Sequence, residues 1–239
     1  SYTYDDRGNM LSLTDAMDNT ERYTYDDKFN QVTSFQDKNG NSYRFDYDDR
    51  GNLTSLSGPL GFSNSFTYND KGWPLNVTDA NSNVTATTYN VDGTTAQVMD
   101  AAGYTTTYSY DECGNVLTMT DGRSNTTSYT YDNNNRITSQ TDALGNTSTL
   151  SYDKVGNIVR VKNAKNQIRA YSYDAMGHVL TMTDPMGGVY AYKYDGKGNV
   201  VSVTDPLGQK QTFAWNEKNK LTSQTNAAGE KTGYEYDAK

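Results

Sequence analysis

Residues 108–128 read YSYDECGNVLTMTDGRSNTTS, and residues 129–149 read YTYDNNNRITSQTDALGNTST. The second stretch repeats the residue types of the first, almost position by position, after an interval of 21 residues. A fixed internal period of roughly 20–50 residues is typical of repeat proteins, in which each unit buries its surface against its neighbours. The period therefore decides the fold before any single motif does.

An aromatic residue followed by Asp or Asn sets the register of the repeat, as in Tyr110-Asp111 and Tyr131-Asp132. Twelve such pairs follow one another at intervals of 21 residues, with one interval of 22. We call the first member of each pair the key aromatic residue. These residues are Tyr4, Tyr25, Tyr47, Tyr68, Tyr89, Tyr110, Tyr131, Tyr152, Tyr173, Tyr194, Trp215 and Tyr236. The sequence predicts a single array of about twelve units over residues 1–239, cut inside a unit at both ends.

Each unit carries the alternating pattern of two half-buried strands. Tyr108 and Tyr110 lie two positions apart, and so do Leu117 and Met119, so that each pair shares a face of its strand. The position two before the key aromatic residue is apolar in every unit except at Thr87. We therefore predict an all-β protein of tandem 21-residue β-hairpins in a continuous, coiled antiparallel sheet.

The first turn of each unit is marked four residues after the key aromatic residue. Glycine fills this position at Gly8, Gly51, Gly72, Gly93, Gly114, Gly156, Gly177 and Gly198. Asn135 and Asn219 replace it in two units, and Gly and Asn are the residues that accept positive φ at least cost. The substitution pattern predicts a left-handed backbone at this position. The preceding aspartate, such as Asp5 or Asp132, can accept hydrogen bonds from backbone amides and brace the turn.

Phe29 breaks the glycine rule in the one unit that has 22 residues. Alignment of Asp15 with Asp37 places the additional residue after Asn30, in the second strand of the unit. We predict a β-bulge or an altered turn there, which keeps the following tyrosines in phase. Open twisted sheets rarely exceed about ten strands without curling, so twelve hairpins are expected to coil around a hollow interior.

The charge and composition of the chain limit the kinds of partner that it can bind. The chain has a formal net charge of −8 and no cluster of Lys and Arg, so we expect no nucleic acid partner and no insertion into membranes. It has 21 tyrosines, whose rings can build a core that hydropathy scales undercount. No apolar run of about 18 residues is present.

No set of residues resembles a catalytic or metal site. His178 is the only histidine and stands where other units have Asn115 or Asn157, so a turn variant is the favoured interpretation. Cys113 is a lone cysteine in a turn beside an acidic residue and is interpreted as incidental. The turn aspartates are near-equivalent, whereas acid–base catalysis needs two carboxylates with different environments. We predict no enzyme and no cofactor, and leave calcium at carboxylate-rich turns such as Asp132 as an open alternative.

The pairs Tyr-Asp-x-x-Gly-Asn and Thr-Asp-x-x-Gly-Asn, alternating within 21 residues, resemble the tyrosine–aspartate (YD) repeat of the Rhs family. Similar repeats occur in the C components of insecticidal toxin complexes, in wall-associated bacterial proteins and in the teneurin shell. The resemblance implies a strip of β-hairpins wound into a hollow cocoon that encloses a C-terminal toxic domain, or into the shell of an extracellular adhesion protein. Asp184-Pro185 and Asp205-Pro206 lie in phase with ordinary repeat turns, so they are given no cleavage role.

The leading functional hypothesis is a non-catalytic structural segment of a secreted or cell-surface protein of a bacterial-type parent. Its expected partners are other segments of that parent and an enclosed domain such as a toxin. The alternatives are an adhesive or fibre-forming protein, which binds like chains through sheet edges, and a carbohydrate-binding protein. Trp73 is the candidate sugar contact, because it replaces a turn Asn with an aromatic ring.

Overall fold

The structure is a computed structural model that describes residues 1–237. These residues form 23 β-strands and one three-residue 3-10 helix, Pro59–Gly61, and contain no α-helix. Strands that end at a key aromatic residue have six residues in most units, and the strands that follow have five. The all-β prediction is confirmed.

The chain divides into two units, Ser1–Thr126 and Thr127–Lys239. The strands of the first unit are β1 Tyr2–Tyr4, β2 Met10–Thr14, β3 Thr20–Tyr25, β4 Val32–Gln36, β5 Ser42–Tyr47, β6 Leu53–Ser57, β7 Ser63–Tyr68, β8 Pro74–Thr78, β9 Val84–Tyr89, β10 Thr95–Met99, β11 Thr105–Tyr110 and β12 Val116–Thr120. Each strand from β1 to β11 pairs antiparallel with the next strand along the chain.

The second unit continues the same pattern. Its strands are β13 Thr126–Tyr131, β14 Ile137–Thr141, β15 Thr147–Tyr152, β16 Ile158–Lys162, β17 Ile168–Tyr173, β18 Val179–Thr183, β19 Val189–Tyr194, β20 Val200–Thr204, β21 Lys210–Trp215, β22 Leu221–Thr225 and β23 Lys231–Gly233. Consecutive strands again pair antiparallel. The prediction of tandem antiparallel hairpins is therefore confirmed in both units.

Hairpins that close through a first turn contain a bulge at the key aromatic residue. In β11 and β12, Ser109 lies opposite Thr118 and Tyr110 lies opposite Val116, so that Leu117 is skipped. The same shift recurs in the other described hairpins that close through a first turn, whereas the hairpins that close through a second turn keep a regular register. A bulge increases the local twist and leaves one residue outside the regular ladder of hydrogen bonds.

The additional residue of the 22-residue unit does not lie in its second strand, so that part of the prediction is wrong, whereas the altered turn predicted as the alternative to a β-bulge is confirmed. Strand β4 has the usual five residues, and its bulge opposite Tyr25 is the usual one. The turn is longer instead, because the Asp26 amide donates to the Gln31 carbonyl at 2.9 Å, and Asn30 takes the positive φ of 60°. A one-residue slip in a strand would exchange its two faces, whereas a turn absorbs an insertion without changing any register.

The two faces of each sheet differ in chemistry. In β17 and β18, Tyr171 lies opposite Met182 on one face. On the other face the hydroxyl oxygens of Ser172 and Thr181 are 2.6 Å apart and form a hydrogen bond. One face of the sheet is thus aromatic and aliphatic, and the other is rich in Ser and Thr.

Neither unit contains a closed hydrophobic core, which corrects the expectation of a tyrosine core. Among the described residues no apolar side chain is fully buried, and the only buried residues are Ser202 and Ser223. The accessible surface is 16,018 Å², whereas a compact monomer of 26.5 kDa exposes about 10,700 Å². The tyrosine rings are instead half-buried between neighbouring repeats of a single layer.

Candidate functional site: the contact between successive repeats

Most turns are held by the side chain of the residue that begins the turn, which is usually an aspartate and is an asparagine at Asn69, Asn163, Asn216 and Asn226. The Asp5 Oδ1 atom accepts hydrogen bonds from the amides of Arg7 at 3.0 Å and Asn9 at 2.8 Å. Its Oδ2 atom accepts from the Asn9 side-chain amide at 2.8 Å. The second turn repeats the device at Asp142, which binds the amides of Leu144 and Asn146. We call this set of bonds the aspartate clamp, and the residue four positions after the aspartate, or after the asparagine that replaces it, the slot residue.

The residue just before the slot residue has a left-handed backbone. In the first turn this residue is Gly8, whose amide donates a hydrogen bond back to the Asp5 carbonyl at 3.0 Å. The eight first-turn glycines named above have φ between 79° and 107°, and Asn135 and Asn219 have φ of 59° and 56°. The predicted left-handed position is therefore present in each of these turns.

Hydrogen bonding stabilises the ionised form of the clamp carboxylates. The side-chain amide of Asn115 lowers the pKa of Asp111, and that of Asn146 lowers the pKa of Asp142. The Met17 amide, helped by the Lys38 ammonium, lowers the pKa of Asp15 to about 2. A carboxylate that accepts two or three hydrogen bonds favours its charged form. The clamps thus depend on ionised aspartates.

We expect the array to lose stability in acid. A carboxyl group whose pKa is lowered on folding stabilises the folded state above its unfolded pKa, and this contribution disappears as the pH falls through the folded pKa. The loss should therefore begin near pH 4 and continue to about pH 2, the pKa of Asp15. Urea unfolding followed by circular dichroism between pH 7 and pH 2 measures this change.

The matched control for the acid prediction is Asp142→Asn. Asn163 already holds its own turn through Oδ1, which accepts from the amides of Lys165 and Gln167 at 3.0 Å. Asn at position 142 should therefore keep the turn at pH 7 and remove one titrating group, so that the decline in acid becomes shallower. A urea midpoint that stays constant down to pH 2 would contradict the role of the clamps.

The key aromatic residues join each repeat to the one before it. The Tyr173 hydroxyl donates to the Ile158 carbonyl at 2.8 Å, and the Tyr194 hydroxyl donates to the Val179 carbonyl at 2.9 Å. Donor and acceptor are 15 residues apart. The same bond is made by Tyr25, Tyr47, Tyr68, Tyr89, Tyr110, Tyr152 and Tyr236, and by the Trp215 indole N–H. We call this bond the aromatic latch.

The latch exploits the bulge of the preceding hairpin. Its acceptor is the first residue of the second strand, at the register shift, where the backbone ladder is interrupted. The hydroxyl or indole N–H supplies a donor at that place. Partial desolvation raises the pKa of Tyr173 and Tyr194 above the usual value for tyrosine, which keeps each hydroxyl protonated as a donor.

The slot residue covers the ring of the next key aromatic residue. The His178 and Tyr194 rings stack with centroids 4.7 Å apart, and the Arg136 guanidinium lies 4.5 Å from the Tyr152 centroid. The Lys220 ammonium lies 4.7 Å from the Tyr236 ring in the same way. Each ring is thus fixed by a latch at its hydroxyl and by the slot residue of the preceding repeat.

Basic residues connect successive first turns in the unit Ser1–Thr126. Arg7 donates to the Asp27 carbonyl at 3.1 Å, Arg50 to the Asp70 carbonyl at 2.7 Å, and Lys71 to the Val91 carbonyl at 3.0 Å. Their charged ends are largely exposed, so the ion pairs that accompany some of these bonds contribute little. Like the aromatic latches, these bonds join each repeat to the neighbouring repeat along the chain.

His178 and Cys113, which were considered as candidate site residues from the sequence, both lie in turns and bind the turn aspartate. The His178 amide and Nδ1 both bind Asp174, at 2.9 Å each, so His178 is the predicted turn variant. Cys113 is an exposed turn residue whose amide binds Asp111. No group of three or more His, Cys, Asp or Glu in residues 1–237 is arranged to hold a metal ion. The calcium alternative remains a prediction.

Trp73 occupies the slot of its repeat. Its ring packs against Tyr89 with centroids 5.3 Å apart, and the Lys71 ammonium lies 4.4 Å from the indole. The indole is therefore half-buried between protein groups. Its proposed contact with sugar remains a prediction.

The latch and the slot were not predicted from the sequence. The signal for the latch was present, because Trp215 is the only non-tyrosine among the key aromatic residues and also carries a hydrogen-bond donor. The slot could be found only as a position that accepts Asn, Trp, Arg, His and Lys. The contacts of this repeated site join one repeat to the next, and the fold and site together define a β-hairpin repeat protein.

Comparison with known proteins places the chain in a family. The teneurin YD-shell profile matches residues 1–71 and 122–239, and the RHS repeat profile matches residues 89–126. The chain belongs to the teneurin YD-shell family. No curated protein sequence matches it.

Solved structures show the same fold. The crystal structure of TcdB2-TccC3-Cdc42 matches 94% of this chain with a TM-score of 0.74 at 18% sequence identity. The structure of TcdB2-TccC3 without its hypervariable C-terminal region matches the same share with a TM-score of 0.74 at 17% identity. This chain spans 14% of the length of the chain matched in each case. No helix within residues 1–237 has the length and apolar character needed to cross a membrane.

Proposed function

We propose that the chain is a non-catalytic wall segment of a larger secreted or cell-surface protein, where it encloses or displays another domain such as a C-terminal toxin. The observation that carries this proposal is the single layer of hairpins without a closed core. Its partners are the other segments of its parent protein and the domain that they surround.

The structural residues support a role without catalysis. The clamps, the latches and the slot residues all use their polar groups within or between repeats. The clamp aspartates have near-equivalent surroundings, and hydrogen bonding lowers the pKa of Asp5, Asp111 and Asp195 alike. Acid–base catalysis needs two groups whose environments drive their pKa values apart, and this repetition supplies the opposite arrangement.

The open apolar face supports a role as a wall. Apolar side chains on one face, including Leu180 at 39% exposure, are not covered by a second layer of this chain. Each square ångström of apolar surface removed from water contributes about 25 cal/mol. The single hairpin layer of these 239 residues does not cover this face. A longer protein can cover it with its contents or with further segments.

The similar structures support a wall that is separate from its contents. TcdB2-TccC3 forms a structure without its hypervariable C-terminal region, and the part similar to this chain is 14% of the matched chain. A variable C-terminal region beside an unvarying repeat wall is the organisation proposed for the parent of this chain.

Small-angle scattering of the isolated chain tests the wall. A single sheet with its side chains should give a cross-section about 10 Å thick, the distance between packed sheet layers. A filled sphere for a monomer of 26.5 kDa would overturn the proposal, and so would a random coil.

The parent protein gives the test of enclosure. The domain that follows the repeats should resist protease while the array is folded and should be cut when the clamps fail in acid. An acid-resistant protease such as pepsin suits the experiment. The isolated downstream domain is the control at each pH, and equal cleavage of both forms while the array is folded would contradict enclosure.

A further inference from the structure

The strands of the unit that begins at Thr127 carry charge of one sign only. Strands β14 to β23 contain no Asp or Glu, because the acidic residues of this unit all lie outside its strands. The charged residues of these strands are Arg160, Lys162, Arg169, Lys193, Lys210 and Lys231. The chain as a whole has a formal net charge of −8, so these strands are the reverse of its average.

Five of the six cations lie on the face that is rich in Ser and Thr. Arg160 lies directly opposite Ser151, and Lys193 lies opposite Ser202. The other three have Thr as their cross-strand partner, and they are Lys162, Lys210 and Lys231. We call these five residues the basic band.

The side chains of the basic band have no ion pair or hydrogen bond within residues 1–237. The cations of this unit that do find partners lie in turns. Arg136 pairs with Asp132 at 2.6 Å, and the Lys197 ammonium donates to the Glu217 carbonyl at 2.9 Å. Four residues of the band are exposed, and Lys162 is half-buried. The charges of the band are therefore available to a partner.

The basic band is long and narrow. It extends from β16 to β23, which is about 34 Å at the usual strand spacing. Lys210 and Lys231 hold the same position in successive repeats and are thus about 10 Å apart. The strands that carry the band have mostly five or six residues, which limits the width of the face to roughly 17–20 Å. These dimensions fit one anionic chain that runs across the strands.

The chemistry of this face favours a polypeptide among the anionic chains. A single nucleic acid strand binds by stacking its bases on aromatic rings, but Tyr171 and Tyr192 lie on the opposite face of these strands. A nucleic acid duplex or a membrane surface is broader and would also meet the second-turn carboxylates of Asp142, Asp184 and Asp205. Carboxylates and peptide groups match the cations and the hydroxyls, because a hydroxyl both donates and accepts.

The weakness of exposed ion pairs indicates where this polypeptide comes from. Each such pair contributes little, so a separate protein would bind loosely, whereas a segment tethered to the same protein gains a high effective concentration. We infer that the basic band binds an acidic segment of the larger parent protein, from outside these 239 residues. The inference rests on the proposed function for the existence of that parent.

Fluorescence anisotropy with labelled poly-L-glutamate tests the band in the 239-residue chain. The wild type should bind this probe, and the affinity should fall as salt screens the charges. The variant Lys193→Gln/Lys210→Gln/Lys231→Gln should raise the Kd at least tenfold, because three of the five cations are lost.

The matched control removes three charges from exposed turns of the same unit. The variant Lys154→Gln/Lys165→Gln/Lys218→Gln should bind poly-L-glutamate nearly as tightly as the wild type does, and circular dichroism should show that both variants are folded. Failure of the wild type to bind the probe would overturn the inference, and so would an equal loss of affinity in the two triple variants.

Two further comparisons test the class and the source of the partner. Polygalacturonate, a polysaccharide with carboxylates, and oligothymidylate, a single nucleic acid strand, should bind more weakly than poly-L-glutamate at an equal concentration of charge. Tighter binding of either one would overturn the assignment to a polypeptide. The parent protein should bind poly-L-glutamate at least tenfold more weakly than this chain, because its own segment covers the band, and equal binding would overturn the tethered source. None of these results changes the proposed wall, which small-angle scattering tests.

Discussion

The variant Tyr194→Ala is expected to destabilise its repeat by about 2–4 kcal/mol, because three interactions disappear together. The latch to the Val179 carbonyl at 2.9 Å is lost. The stacking of His178 on the ring is also lost. The half-buried ring leaves a gap between two repeats that a single layer cannot close by repacking.

Two controls separate the parts of this effect. Tyr194→Phe keeps the ring and removes only the hydrogen bond, for an expected cost of about 1 kcal/mol. Tyr4→Ala removes a key aromatic residue that is 58% exposed, so its cost should be smaller.

Urea unfolding measures the free energies, and native-state hydrogen exchange locates the change within the array. Local measurement is needed because long repeat arrays can unfold in parts. If Tyr194→Phe cost as much as Tyr194→Ala, the ring and its stacking would contribute nothing. Equal costs for Tyr4→Ala and Tyr194→Ala would show that the partial burial of the Tyr194 ring contributes nothing.

The variant Gly93→Ala is expected to have the second large effect. Gly93 has a φ of 93°, which costs a residue with a side chain about 1–2 kcal/mol. A β-carbon there would also lie 2.8 Å from the Trp73 ring, which Tyr89 and Lys71 hold in place. Forcing the ring aside adds about 1–3 kcal/mol. The matched control is Gly114→Ala, where φ is 83° and nothing lies within 4 Å of the new carbon.

A double-mutant cycle isolates the collision. Trp73→Asn introduces the residue type that fills the slot in other repeats, as at Asn52, and it leaves space beside position 93. The cost of Gly93→Ala in that background should fall to the cost of Gly114→Ala. Urea midpoints of the four chains of the cycle provide the measurement. An unchanged cost in the Trp73→Asn background would show that the backbone conformation alone accounts for the effect.

Most of the fold could be predicted from the sequence because the local signals agree with one another. The alternation around Tyr108 and Tyr110 specified strands, and Gly114 specified a left-handed turn. Repetition then strengthened each signal, because Asn135 and Asn219 replace glycine where positive φ is required. The assignment of His178 to a turn followed from the same alignment and is confirmed by its bond to Asp174.

The position of the additional residue near Phe29 could not be predicted from the sequence. Alignment locates an additional residue only between matched positions, and either the turn or the strand could receive it. The choice depends on pairing with both neighbours, since Phe35 lies opposite Tyr23 on one side and Tyr43 on the other. The additional residue lies in the turn because turn residues have no cross-strand partners whose pairing it would disturb.

The sequence by itself determined the period, the two strands of each repeat, the turn conformations and the acidic, non-basic character of the chain. These features depend on residues close together along the chain. Only the tertiary structure decided that Tyr194 reaches a carbonyl 15 residues earlier and that His178 covers its ring. It also decided that the tyrosines are held between repeats without a closed core. Those contacts depend on the bulge and on how one hairpin lies against the next, and neither is encoded in a local pattern of residue types.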